Sequence, residues 1–133
     1  MRIKRTVDEK EIKSILFHED IYEHISGGHE VSANDFKLPM RTVAYIGGYD
    51  NTIFALCCIH SFLDGTKIHF NILKSHRLRY TRDFVKTCLS MVKSNIYIEF
   101  PNHRKDIFNL ASKYGFDSIA NNNSPTRTLM RLL

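Results

Sequence analysis

A chain of 133 residues has the length of one domain with a real core. Its 43% apolar and 25% charged residues are the balance of an ordinary soluble globular protein, and no apolar run nears the ~20 residues of a membrane span. The net charge of +5 favours anionic partners (a phosphorylated cofactor, nucleic acid or an acidic protein surface) without choosing among them. The opening MRIKRTVDEKEIK is too charged for a signal peptide. Cys57, Cys58 and Cys88 show neither a CxxC pair nor metal spacing and read as reduced thiols. The expected location is the cytoplasm.

Residues 1–7 alternate Ile3 with charged neighbours and read as a strand with one wet face. Asp8, three positions before Glu11, opens a helix striped by Ile12, Ile15 and Leu16. A second short helix is placed on Ile21, Tyr22 and Ile25 and stops at Gly27-Gly28. Residues 29–40 read as an irregular connection. A three-stranded antiparallel meander follows over 41–73. Its strands are RTVAYIGG, closed by Gly47-Gly48, then TIFALCCIHSF, then KIHFNIL with Ile68, Phe70 and Ile72 on one face. Asp64-Gly65 is the two-residue hairpin signal. Cys57 and Cys58 are adjacent on a strand and face opposite sides, so one of them is expected to be buried.

The stretch ILKSHRLRYTRDF, residues 72–84, then carries the chain through a basic, glycine-free turn to a helix marked by Phe84, Val85, Cys88, Leu89 and Val92. NIYIEF is another strand. A helix follows from Pro101-Asn102, striped by Ile107, Leu110, Ala111 and Tyr114 and capped by Gly115. FDSIA, the turn NNNSP and TRTLMRLL close the chain with two strands. The order β-α-α-β-β-β-α-β-α-β-β in one domain, 1–133, makes an α/β fold with a mixed sheet and helices on both faces. The helix after the meander makes a right-handed crossover to a parallel neighbour.

This order, and residues 68–120 within it, resemble the GCN5-related N-acetyltransferase (GNAT) superfamily. The most specific piece is PNHRKDIFNLASKYGFDSI, whose helix ends in Lys113-Tyr114-Gly115-Phe116. The pattern of His76, Arg77 and Phe84 is also similar to divergent GNAT-like proteins encoded by tailed bacteriophages. The resemblance implies a GNAT-like (acyl-CoA N-acyltransferase) fold, with a mixed, splayed sheet of about seven strands flanked by about four helices. It implies acetyl-CoA as cofactor, with pantetheine held by the backbone of Ile72, Leu73 and Lys74. The family's pyrophosphate turn, [QR]-x-x-G-x-[GA], matches Arg77-Leu78-Arg79-Tyr80-Thr81-Arg82. Arg77 keeps the motif, while Tyr80 and Arg82 stand where the family has small residues. An anion there is held by the side chains of Arg77, Arg79 and Arg82 and by helix amides, without a glycine cradle. In the plainer reading Tyr80 packs over the turn and the arginines are solvated.

The tyrosine acid of the family, four residues before its Gly-Phe, is Ala111 here, and Tyr114 fits the apolar stripe. Glu99 and His69 are the candidate bases, with His60 on the preceding strand; each also reads as a half-exposed sheet residue. His29 and Glu30 lie where the family builds its acceptor site. The implied activity is acetyl-CoA-dependent transfer of an acetyl group to an amine by direct attack. The alternative is a GNAT-fold binding or assembly protein without catalysis, encoded by a bacteriophage and acting on a protein partner in the host cytoplasm. The histidines form no HxxxH pair with a carboxylate, so no metal is expected. Nucleic-acid binding by Arg77, Arg79 and Tyr80 ranks below the cofactor, since the folds' signatures are absent.

Overall fold

Alternating polarity gives β1 (Arg2–Thr6), and Asp8 then starts α1 (Glu9–Leu16). The Asp8 side chain accepts the Lys10 N–H at 2.9 Å. Glu11 accepts the Thr6 hydroxyl at 2.7 Å, and Thr6 Oγ1 in turn accepts the Asp8 N–H at 3.1 Å. The capping box is thus relayed through a hydroxyl. The computed structural model describes residues 1–21, 41–49, 51–122 and 124–133. The second helix, the 29–40 connection, His29 and Glu30 lie outside the described residues.

The later elements are β2 (Val43–Tyr49), β3 (Thr52–Phe62), β4 (Gly65–Ile72), α2 (Lys74–Ser90), β5 (Ile96–Pro101), α3 (Lys105–Lys113), β6 (Asp117–Ile119) and β7 (Arg127–Leu132). The seven strands take the order β1-β2-β3-β4-β5-β7-β6. β4 and β5 pair in parallel, with Thr66 opposite Ile96 and Lys67 opposite Tyr97. β1–β2, β2–β3, β5–β7 and β6–β7 are antiparallel. This is the mixed α/β sheet expected from the sequence, with three helices among the described residues. None of these is long and apolar enough to cross a membrane.

The chain gathers into two compact units, Met1–His60 with His69–Met91, and Ser61–Ile68 with Val92–Leu133. In the first, β3 is covered on both faces. Ile12, Ile15 and Leu16 of α1, with Ile21, pack on Ala44, Ile46, Leu56 and Cys58. α2 covers the other face. A Cβ on Gly47 would lie 2.8 Å from the Phe84 ring, so only glycine admits the helix this close. The Cys57 thiol faces Cys88 of α2, and that neighbour together with burial pushes it above its ordinary range. Both Cys57 and Cys58 are therefore buried, where the sequence promised one; β3 has no wet face at that point. β2 does not stop at Gly47-Gly48 but runs through them to Tyr49.

In the second unit Ile96, Tyr97, Phe100, Ala111, Phe116, Leu129 and Met130 are buried. α3 starts at Lys105 and not at Pro101-Asn102. Pro101 ends β5, and Asn102 bonds to the Thr126 oxygen through its N–H at 3.1 Å and to the Pro125 oxygen through its amide at 3.0 Å. Gly115 caps α3 as expected, with its N–H on the Ser112 oxygen and the Phe116 N–H on the Ala111 oxygen, both at 3.1 Å.

The β3–β4 turn falls on Leu63 and Asp64, one residue earlier than the Asp64-Gly65 signal. Leu63 takes φ +48° there. Gly65 opens β4 instead, because a Cβ at that point would sit 2.2 Å from the Asn95 carbonyl oxygen, which also accepts the Thr66 N–H at 2.8 Å. Leu63→Gly should raise the unfolding free energy by about 0.5–1 kcal/mol by relieving a left-handed leucine. Gly65→Ala should lower it by more than that, since backbone must move. Urea unfolding midpoints of the two variants check both directions.

Candidate functional site

Residues 75–82, expected as a turn, are in the first turns of α2, which begins at Lys74. His76, Tyr80, Phe84 and Cys88 recur every fourth residue and fall on one helix face, and no glycine or proline interrupts them. The helix therefore begins one residue after β4. Leu73 is its N-cap, with extended backbone and no side-chain cap. The Leu73 N–H bonds to the Phe54 oxygen at 2.9 Å. The Lys74 N–H is taken by the Asp20 carboxylate at 3.0 Å, and the Ile72 oxygen accepts Arg77 Nε at 2.9 Å. Asp20 is steadied by His18, whose Nδ1 accepts the Asp20 N–H at 3.1 Å.

The eight residues expected to hold a cofactor are thus one continuous strand end and helix start. Ile72 is buried, Leu73, Tyr80 and Thr81 are half-buried, and Lys74, Arg77, Arg79 and Arg82 are exposed. Thr81 donates its hydroxyl to the Arg77 oxygen at 2.6 Å.

Tyr80 belongs to an aromatic cluster. Gly47 faces Ala55 and Gly48 faces Ile53, so Phe54 is an extra residue on β3, a β-bulge that re-aims its ring. His76 stacks on Phe54 at 4.2 Å between ring centres and 3° between planes. Tyr80 lies 4.9 Å from Phe54, and Tyr49 meets Tyr80 edge-on at 5.4 Å. The Arg79 guanidinium lies 5.4 Å from the Tyr80 ring centre. Tyr80 is packed, as the plainer reading had it, and its ring fills the place of a glycine. The helical spacing of His76, Tyr80 and Phe84 was the signal for this.

The candidate bases differ in their surroundings. Glu99 is 14% exposed at its side chain. Its Oε1 accepts Lys67 Nζ at 3.3 Å and Arg127 Nε at 3.0 Å, and its Oε2 accepts Asn121 Nδ2 at 3.1 Å. Burial alone would push this carboxyl up, but the Lys67 charge and the bonds from Asn121, Lys67 and Arg127 outweigh it and hold the group below its ordinary value. It is an ionised structural carboxylate with its lone pairs engaged. His69 Nε2 meets His60 Nε2 at 3.1 Å, and both rings are half-buried. Sequence reasoning named both histidines without joining them. Ala111 is buried in α3, and Tyr114 is half-buried at its C-cap. Among the described residues, no group of three or more His, Cys, Asp or Glu side chains is placed to hold a metal.

No family model matches the sequence, and no curated protein matches it. Solved structures do. The ribosomal-protein-S18-alanine N-acetyltransferase from Escherichia coli superposes with a TM-score of 0.71 at 12% identity, over 98% of this chain and 93% of its own. An acyl-CoA N-acyltransferase from Pseudomonas aeruginosa gives 0.72 at 12% identity, over 99% of both chains. The fold is that of the GNAT proteins. An acetyltransferase from Thermus thermophilus gives 0.72 at 14% identity, over 99% of this chain and 97% of its own. The GNAT fold is thus spanned end to end, at an identity where side chains have diverged throughout.

Three carboxyls of the second unit are depressed. Asp64 is held down chiefly by the Tyr97 hydroxyl that donates to it, and Glu99 as described. Asp106 is lowered to about 2 by paired bonds from Arg104 at 3.0 and 2.9 Å. A folded pKa below the unfolded one means that the unfolded chain binds more protons as pH falls. Stability should therefore be full above the ordinary carboxyl value of 4.5 for Glu99 and be lost progressively toward pH 2. Chemical denaturation at several pH values measures this, and Glu99→Gln should flatten the slope. A wild-type unfolding free energy that stays level between about pH 6 and 3 would contradict the assignment.

Proposed function

We propose that the chain is an N-acyltransferase that transfers an acetyl group from acetyl-CoA to an amine by direct attack of the amine. The observation that carries this reading is the charge at the start of α2. Lys74, Arg77, Arg79 and Arg82 stand on its first turns, and no acid does. That helix end already bears partial positive charge, so added cations raise its energy and a polyanion lowers it. Asp20 supplies one carboxylate to the Lys74 amide. The exposed lysine and arginine side chains suit phosphate oxygens.

The donor set fits the phosphates of coenzyme A through side chains and not through a backbone cradle. Lys74, Arg77, Arg79 and Arg82 would hold them, beside Tyr80 and Thr81. Ile72, Leu73 and Lys74 would hold pantetheine; the Ile72 oxygen has a second lone pair beyond the one given to Arg77. When bound, the thioester supplies the activated acyl group. His69 is the better-placed base for the proton the amine loses, because Glu99 is held by three donors. The acyl and amine classes are taken from the names of the proteins of similar fold.

A second reading is a GNAT-fold binding or assembly protein without catalysis, encoded by a bacteriophage. It is favoured by Asp20 on the Lys74 amide, Arg77 on the Ile72 oxygen and Ala111 in place of an acid.

Calorimetry and thermal shift with acetyl-CoA separate the two. Ligand at a hundred times its Kd should stabilise the chain by about 2.7 kcal/mol. Arg77→Ala and Arg82→Ala should each weaken binding, and Asp20→Asn should strengthen it by removing a competing charge. No shift at millimolar acetyl-CoA would sink the enzyme reading in favour of the second.

A further inference from the structure

His60 on β3 and His69 on β4 bring two imidazoles together. Their Nε2 atoms are 3.1 Å apart, their ring centres 5.2 Å, and their planes 18° from parallel, so the two nitrogens face each other nearly head-on. One Nε2–H donates and the other Nε2 offers its lone pair. That lone pair is also what a borderline divalent cation takes from histidine. Two Zn–N bonds of about 2.0–2.1 Å at a tetrahedral angle set their nitrogens roughly 3.3–3.4 Å apart. The observed separation is within a few tenths of an ångström of that. The rings must tilt to converge on a metal, and χ2 of histidine is a broad torsion that permits it. Paired strands supply the rigid frame, and both residues are half-buried.

We propose that His60 and His69 form a binding site for a borderline divalent transition ion, Zn2+ first among them, which takes the place of the shared proton. His60 and His69 supply two ligands, and the remaining tetrahedral positions would be filled by water or an incoming donor. Cys58, two residues from His60, is packed in the core against α1. Lys67, two residues from His69, does not repel the ion unopposed, since Glu99 pairs with it at 3.3 Å. A spacing of nine residues lies outside the HxxxH pattern, on whose absence the sequence promised no metal. The site shares His69 with the acyltransferase reading, where it is the base, but zinc binding without any acyl donor tests it separately.

Isothermal titration of the full chain with ZnCl2 and NiCl2 in a non-coordinating buffer tests it. One equivalent should bind. His60→Gln and His69→Gln should each weaken binding by about tenfold or more, while His103→Gln leaves it unchanged. Should a variant fail to fold, imidazole resonances of the wild-type chain decide: those of His60 and His69 should move first on adding Zn2+. Absence of saturable binding at millimolar Zn2+, binding undiminished by either substitution, or shifts confined to other histidines overturns the proposal.

Discussion

Between Phe54 and Cys58, β3 meets water on neither side; four of these five residues have no exposed surface at all. Burying a large apolar side chain is worth roughly 1.5–3 kcal/mol, so a strand with two dry faces demands a cover on each. α1 supplies one and α2 the other. The Phe54 bulge is where the alternation breaks, and its ring then becomes the seat of His76 and Tyr80. α2 is consequently pinned along its length, by Phe84 and Cys88 further on and by the aromatic cluster at its start. Little chain is left for a loop between β4 and α2, and one residue, Leu73, makes the connection.

That economy decides the chemistry of the junction. A loop with glycines offers backbone amides to an anion. A helix that starts at once offers its first amide and whatever side chains its outer face carries. Here those are basic, while the inner face is aromatic. The contrast with Glu99 is instructive. Around Glu99 one half-buried carboxylate meets two cations and an amide, an arrangement suited to holding strands. At the start of α2, Lys74, Arg77, Arg79 and Arg82 stand on the first turns, and the Asp20 carboxylate takes the Lys74 amide. The first cluster joins strands, and the second gathers positive charge on an exposed helix start.

Much of this was legible in the sequence. All seven strands follow from runs of alternating or β-branched residues, and Gly115 marked the end of α3. What escaped has identifiable causes. The basic residues of 74–82 suggested a solvated turn, although the four-residue spacing of His76, Tyr80 and Phe84 already extended the helix backwards. Gly65 signalled a turn, but its missing side chain makes room for the Asn95 carbonyl, just before a strand distant in sequence. Glycine advertises freedom and close approach alike, and only tertiary structure separates the two. Asp20 as the cap of α2 and the meeting of His60 with His69 depend on contacts that no local pattern encodes.

The Asp20 cap reaches across 54 residues, from just after α1 to the first amide of α2. A bond of that span couples two places that propensity alone would leave independent. Whatever pulls Asp20 away uncovers the helix end, and whatever occupies that helix end sets Asp20 loose. Thermodynamic reciprocity makes the two effects equal in size. The segment that follows the first helix, which meets Lys74 only at its amide, thereby has a vote in how strongly the basic side chains can hold an anion.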